Sequence, residues 1–237
     1  VILLSTESLE YLHRIFLFAK EAFYGVDLSI SFDNFDTLDV DYIKKISDEI
    51  IKVLSISAPS QKVTETIIDK ILAMAVTLTQ VITFFPPHFS DKDTTWYKQY
   101  LPKVKKTSNL SIAVKNVSPE FLFFIIPARK NASLMEIKKI TGDTSFDLAN
   151  SVDIMKDSSF LNSIKNVYLS DSIDKKLLLT SVTTSNLPIE SLLMKLKASS
   201  YNLFSLKLNP KELANEDKVL NNLKSCIEYY EKYFSDK

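Results

Sequence analysis

Glycine is the residue this chain most conspicuously lacks: Gly25 and Gly142 are the only two among 237 residues, where average usage would supply about 16. Phosphate cradles of the G-x-x-x-x-G-K-S/T and G-x-G-x-x-G kinds need at least two glycines within about seven residues, so that backbone N–H groups can close on the phosphate. With one glycine in each half of the chain, nucleotide binding by either device is excluded. The nucleophile elbow G-x-S-x-G fails on the same count. A histidine-based triad has only His13 and His88 to draw on, neither beside a nucleophile motif.

Composition narrows the classes further. Hydrophobic residues make up 46% of the chain, enough for one sizeable core, and 29 basic side chains balance 29 acidic ones. Zero net charge gives no general pull towards nucleic acid, and with Arg14 and Arg129 the only arginines any basic patch is made of lysine point charges. The lone Cys226 rules out an internal disulfide, and two histidines leave a structural zinc site without its usual ligands. No metal and no cofactor are expected, in a reducing compartment. The longest apolar run, Phe121–Pro127, is far shorter than the roughly 20 residues of a bilayer span, and no charged-then-apolar leader is visible. Neither a membrane span nor secretion is expected.

Periodicity supplies the elements. Leu9, Leu12, Phe16, Ala19 and Phe23 fall on one seam of a helix over residues 1–24, with Gly25 as its C-cap. Val26, Leu28, Ile30 and Phe32 alternate with Asp27, Ser29 and Ser31, a strand. A short helix is expected around Ile43–Ile46. Ser60 can cap a helix whose buried stripe is Val63, Ile67, Ile71, Leu72, Ala75 and Leu78, followed by a buried strand, Val81–Phe85. Leu110–Val114, Phe121–Ile126, Leu134–Ile140 and Lys176–Val182 are predicted strands, the second buried on both faces. Two helices are predicted over residues 145–157 and 158–172. Pro188 opens another, through Ile189, Leu192, Leu193, Leu196 and Ala198, and a charged helix covers 210–235. Trp96 and Tyr97 are expected as core or loop anchors. The Asp33, Asp36, Asp39, Asp41 cluster is the only carboxylate group to suggest an acid site, and it reads as a solvated loop without calcium-site spacing.

This order of elements resembles the motor domain of kinesins, in particular the minus-end-directed class with a C-terminal motor. Phe23–Ser31 is similar to the junction of neck helix and first strand, Ser57–Ile67 to the segment leading into the nucleotide-site strand, and Lys176–Ser199 to the last core strand and helix. The resemblance implies an α/β fold: a P-loop NTPase-type three-layer domain, its mostly parallel or mixed central sheet flanked by helices. It divides the chain into the end of a coiled-coil neck (1–24), a motor homology domain (25–208) and a C-terminal helix (209–237).

The nucleotide elements of that family are missing. Pro86-Pro87-His88-Phe89-Ser90-Asp91-Lys92-Asp93-Thr94 stands where the phosphate loop belongs, and its prolines delete backbone N–H donors. Lys115–Glu120 replaces the first switch. Asp147-Leu-Ala-Asn-Ser151 lacks the glycine and glutamate of the second and reads as helix. The resemblance therefore implies a subunit that is not an enzyme, like the associated chains of budding-yeast heterodimeric kinesins. It would bind microtubules independently of ATP through Lys156, Lys165, Lys175 and Lys176. It would pair with a catalytic kinesin heavy chain through Leu9, Leu12, Phe16, Ala19 and Phe23, and act on spindle or nuclear-fusion microtubules in nucleus and cytoplasm. Nucleic-acid and membrane partners are not expected. The alternative is a scaffold subunit with a degenerate P-loop-like fold that binds protein only.

Overall fold

The computed structural model describes residues 2–6, 25–31, 35–49, 52–79, 81–117, 121–147, 150, 158–169, 171–173, 176–178, 189–198 and 203–207. Eight strands form one closed barrel: β1 (Ile2–Thr6), β2 (Gly25–Ser29), β3 (Val53–Ser57), β4 (Val81–Phe84), β5 (Ser111–Lys115), β8 (Thr144–Asp147), β9 (Ile164–Leu169) and β12 (Phe204–Lys207). Every neighbouring pair is parallel, and β12 closes on β1 with Ile2 opposite Phe204 and Ser5 opposite Lys207. Two small antiparallel hairpins lie outside it, β6 (Phe121–Leu122) with β7 (Ile126–Pro127) and β10 (Asp171–Ile173) with β11 (Lys176–Leu178). Parallel strands need crossovers. The described ones carry α1 (Val40–Glu49), α2 (Glu65–Leu78), a π turn at Trp96–Tyr100 running into α3 (Leu101–Thr107), α4 (Leu134–Thr141) and α5 (Ile189–Ala198). This is the architecture of a TIM barrel. The three-layer, kinesin-like sheet expected from the sequence is overturned, because a sheet whose last strand pairs with its first has no edges and no open layers.

The helices pack on the outside of the barrel through one apolar shell. Leu28, Ile56, Ile82, Phe84, Ile112 and Val114 from the strands meet Ile43, Ile68, Ile71, Met74, Trp96, Tyr97, Leu101 and Ile137 from the helices. Trp96 and Tyr97 are core anchors, as expected. Helix starts follow capping chemistry. Asp39 accepts from Tyr42 N at 2.9 Å, which gives one member of the acidic cluster a structural task. Thr64, not Ser60, caps α2. Ser133 and Glu136 form a capping box on α4, and Gly142 ends that helix in the left-handed region at φ 75°.

Other expectations are corrected as well. Leu134–Ile140 is helix, whereas Thr144–Asp147 and Ile164–Leu169 are barrel strands inside the segments read as helices. Short apolar runs fit either period, and here the caps decide. Phe121–Ile126 is no buried strand but a tight hairpin, with Phe123, Phe124 and Ile125 at 83%, 97% and 80% exposure. Gly25, expected as a helix C-cap, is the first residue of β2, and the residues before it lie outside the described ones. A Cβ there would lie 2.7 Å from Lys52 O and from Leu54 Cδ1. Residues 2–6 of the expected neck form a barrel strand. The seam residues Leu9, Leu12, Phe16, Ala19 and Phe23, and the helix expected over 210–235, lie outside the described residues.

Candidate active site at the barrel mouth

On β2, β3, β4, β5, β8, β9 and β12 the second face is polar yet just as buried: Asp27, Ser55, Ser57, Thr83, Lys115, Ser145, Asp147, Asn166, Tyr168 and Ser205. Contacts between strands that are not neighbours show that these side chains meet across the lumen. Ser57 Oγ on β3 is 2.7 Å from Tyr168 OH on β9, Thr83 Oγ1 on β4 is 2.7 Å from Ser145 Oγ on β8, and Asn166 Nδ2 on β9 donates to Ser55 Oγ on β3 at 3.3 Å. Lumens of such barrels are ordinarily packed with branched aliphatic residues. Polar groups so deeply buried are tolerable only when hydrogen-bonded to one another.

Because all strands run the same way, their C-terminal ends share one mouth. Lys115 ends β5, Asp147 ends β8, Ser57 ends β3 and Tyr168 is next to last in β9. Lys115 Nζ lies 2.9 Å from Asp147 Oδ2, with only 3% and 1% of the two side chains exposed. The ammonium also sits 3.8 Å from the centre of the Tyr168 ring and 5.6 Å from that of Phe85, a cation–π arrangement. Asn116 brackets the backbone of Asp147, accepting from its N at 2.6 Å and donating Nδ2 to its O at 3.1 Å. Tyr168 OH and Ser57 Oγ lie 2.7 Å apart, and both hydroxyls reach Asp27, Ser57 donating to Oδ2 at 3.2 Å and Tyr168 to Oδ1 at 3.4 Å. Burial, reinforced by the Asp27 charge, raises the Tyr168 phenol well above its ordinary pKa, against the opposing pull of hydrogen bonds with Ser57 and Thr83. That phenol is neutral at physiological pH.

The loop leaving β4 forms one wall. The Pro86 and Pro87 carbonyls accept from Arg129 Nη1 at 2.8 Å and Lys130 N at 3.0 Å, so a segment without two N–H donors still serves through its acceptors. Arg129 also donates to Ser60 O and stands 5.6 Å from the Phe85 ring centre. His88 bonds Ser90 within this loop. Metal ligation finds no support in the donor set. Among the described residues no group of three or more His, Cys, Asp and Glu side chains comes together, Asp147 faces an ammonium, and Asp27 is engaged by hydroxyls. The described residues do not fit a divalent ion.

Of the lysines selected from the sequence, Lys165 does not belong to this mouth. Lys165 is half-exposed near the start of β9, at the opposite end, 3.8 Å from Asp143. Lys176 opens β11, and Lys156 and Lys175 lie outside the described residues. Sequence reading missed Lys115, Asp147 and Tyr168 as a group, although Lys115 and Asp147 stood in segments singled out as failed switches. The available signal was the recurrence of small polar residues on alternate positions of strands whose other face is apolar.

No family model matches the chain, and no curated protein matches it in sequence. Solved structures match it over nearly the whole length. It is similar to the IOLI protein with a binding zinc atom, at a TM-score of 0.72 and 13% identity over 99% of both chains. It is similar to a xylose isomerase domain protein from Alicyclobacillus acidocaldarius subsp. acidocaldarius, at 0.65 and 13% over 97% of this chain and 98% of that one. An L-ribulose 3-epimerase matches at 0.60 and 11%, over 100% and 98%. This likeness overturns the kinesin resemblance and what hung on it: the microtubule and kinesin partners, the non-catalytic role and the P-loop-like scaffold. The fold is that of xylose isomerase-like TIM barrels.

Proposed function

We propose that the chain is an enzyme that moves a proton on the carbon beside the carbonyl of a small sugar-like substrate, the chemistry of an epimerase or isomerase. The observation that carries this reading is the buried Lys115–Asp147 pair at the C-terminal ends of β5 and β8, the end at which barrels of this architecture hold their active sites. The descriptions of structures sharing the fold, among them a D-tagatose 3-epimerase-like protein and an L-ribulose 3-epimerase, support it by analogy of fold. In this reading Asp147 takes the proton from carbon. The Lys115 ammonium stands by the oxygen that becomes an enediolate, where a desolvated charge counts for far more than in water. Return of the proton to the neighbouring carbon, with the hydroxyl proton passing to the other oxygen, gives the isomer; the epimer forms when solvent water delivers a proton to the opposite face and Asp147 releases its own to solvent. Tyr168, held neutral, supports the ammonium from below with its ring. No step here runs through a metal, since the donor set of the described residues does not fit one.

The test is proton exchange: ketopentoses and ketohexoses are incubated with the protein in D2O, and loss of the C–H signal beside the carbonyl is followed by NMR. Lys115→Met and Asp147→Asn are each expected to slow exchange by about a hundredfold or more. Absence of both exchange and saturable binding across the panel would overturn the reading.

A further inference from the structure

We infer that Lys115 is the resident cation of this barrel, and that the chain uses its ammonium in place of a divalent metal ion. The inference deepens the reading of the same mouth and rests on it for the role of the ammonium, though not for the exclusion of metal. Two of the structures sharing the fold are described with zinc, the IOLI protein and a Thermus thermophilus protein soaked with ZnCl2. The chemistry around Asp147 differs from what such an ion needs. Its Oδ2 already faces a unit positive charge at 2.9 Å, and a divalent ion bound there would sit against that charge in a site with almost no solvent to screen it. The other near neighbours of Nζ are the faces of Tyr168 and Phe85, which attract an ammonium and offer a metal no lone pair. The second lumen carboxylate, Asp27, is occupied by Ser57 and Tyr168. Asn116 fixes the strand end that carries Asp147, so the carboxylate is aimed before any ligand arrives. A covalently tethered cation is never lost to a chelator and brings a single, fixed charge to a substrate oxygen.

The inference is tested with the metal alone. Chelator-treated wild type, Asp147→Asn and Lys115→Glu are titrated with ZnCl2 by calorimetry, and their thermal midpoints are followed with and without zinc. Wild type and Asp147→Asn are expected to give the same titration. Lys115→Glu, which sets two carboxylates face to face without a cation, should acquire zinc binding at least about tenfold tighter than wild type, with a raised midpoint. One zinc per wild-type chain, with affinity falling about tenfold or more in Asp147→Asn, would overturn the inference. If Lys115→Glu does not fold, the comparison of wild type with Asp147→Asn decides alone. Borohydride supplies a separate check: a Lys115 adduct trapped by reduction in the presence of a ketose would mean that the side chain reacts as a free amine and not as a fixed ammonium. Failure of the proton-exchange assay leaves the zinc titration interpretable, so the two readings fail separately.

Discussion

Scarcity of glycine leaves its mark residue by residue. The turn of the β6–β7 hairpin, closed by Ile125 N donating to Leu122 O at 3.1 Å, puts two consecutive phenylalanines in the left-handed region, Phe123 at φ 50° and Phe124 at φ 63°. Turns of this hand normally take Asn-Gly or Asp-Gly. A residue with a Cβ costs about 1–2 kcal/mol there, whereas glycine adds about 0.5–1 kcal/mol of unfolded-state entropy, so the balance favours glycine. With Phe124 at 97% exposure, almost no packing is lost by the change. Phe124→Gly is therefore expected to stabilise the chain by about 0.5–1 kcal/mol in urea unfolding; a loss would mean that the ring packs on something in solution. Gly25 shows the opposite case. A methyl group there would press on the Lys52 carbonyl at 2.7 Å, and a backbone atom yields less readily than a side chain. Gly25→Ala should cost about 1–3 kcal/mol.

Elements were legible where periodicity and punctuation agreed. The apolar stripe announced α2, although its cap is Thr64 and not the expected Ser60, and α5 begins just after Pro188. They were illegible where short segments satisfied two periods at once. Leu134–Thr141 alternates well enough for a strand, yet Ser133, Glu136 and Gly142 carry the start and stop signals of a helix. Those signals were in the sequence and outweigh the alternation. Ser133→Ala removes the acceptor for Glu136 N and should destabilise the protein by about 1 kcal/mol, seen as a lower urea midpoint with unchanged slope. The barrel strands β8 and β9 were hidden for another reason: the lumen face is polar though buried, so no apolar run marks them, and the alternation that remains is short and broken by the register shift between them. The same polar face hid the candidate site. Lys115 and Asp147 gain meaning only when β5 and β8 lie side by side, a pairing that no local pattern announces.

At the scale of the whole molecule, a polar lumen ties stability to pH. Tyr168 in the lumen and Tyr97 in the outer core are both raised above the ordinary phenol value of 10.0, each chiefly by burial. A phenol whose folded-state pKa lies above its unfolded value keeps its proton in the native chain after the unfolded chain has released it. The native state then binds more protons, so stability falls as pH rises. The contribution is complete below about pH 10 and is lost from there upwards, at about 1.4 kcal/mol per pH unit for each tyrosine. Urea midpoints measured at about one-half-unit steps above pH 9 should fall with that slope, and tyrosinate absorbance from the two buried rings should appear only together with unfolding. Tyr168→Phe should flatten the fall by about half while lowering the plateau, because Ser57 loses the phenol as a partner. Full titration of both rings near pH 10 in a still-folded chain would show instead that the lumen admits hydroxide or water, and that the mouth opens more readily than the buried Lys115–Asp147 pair implies.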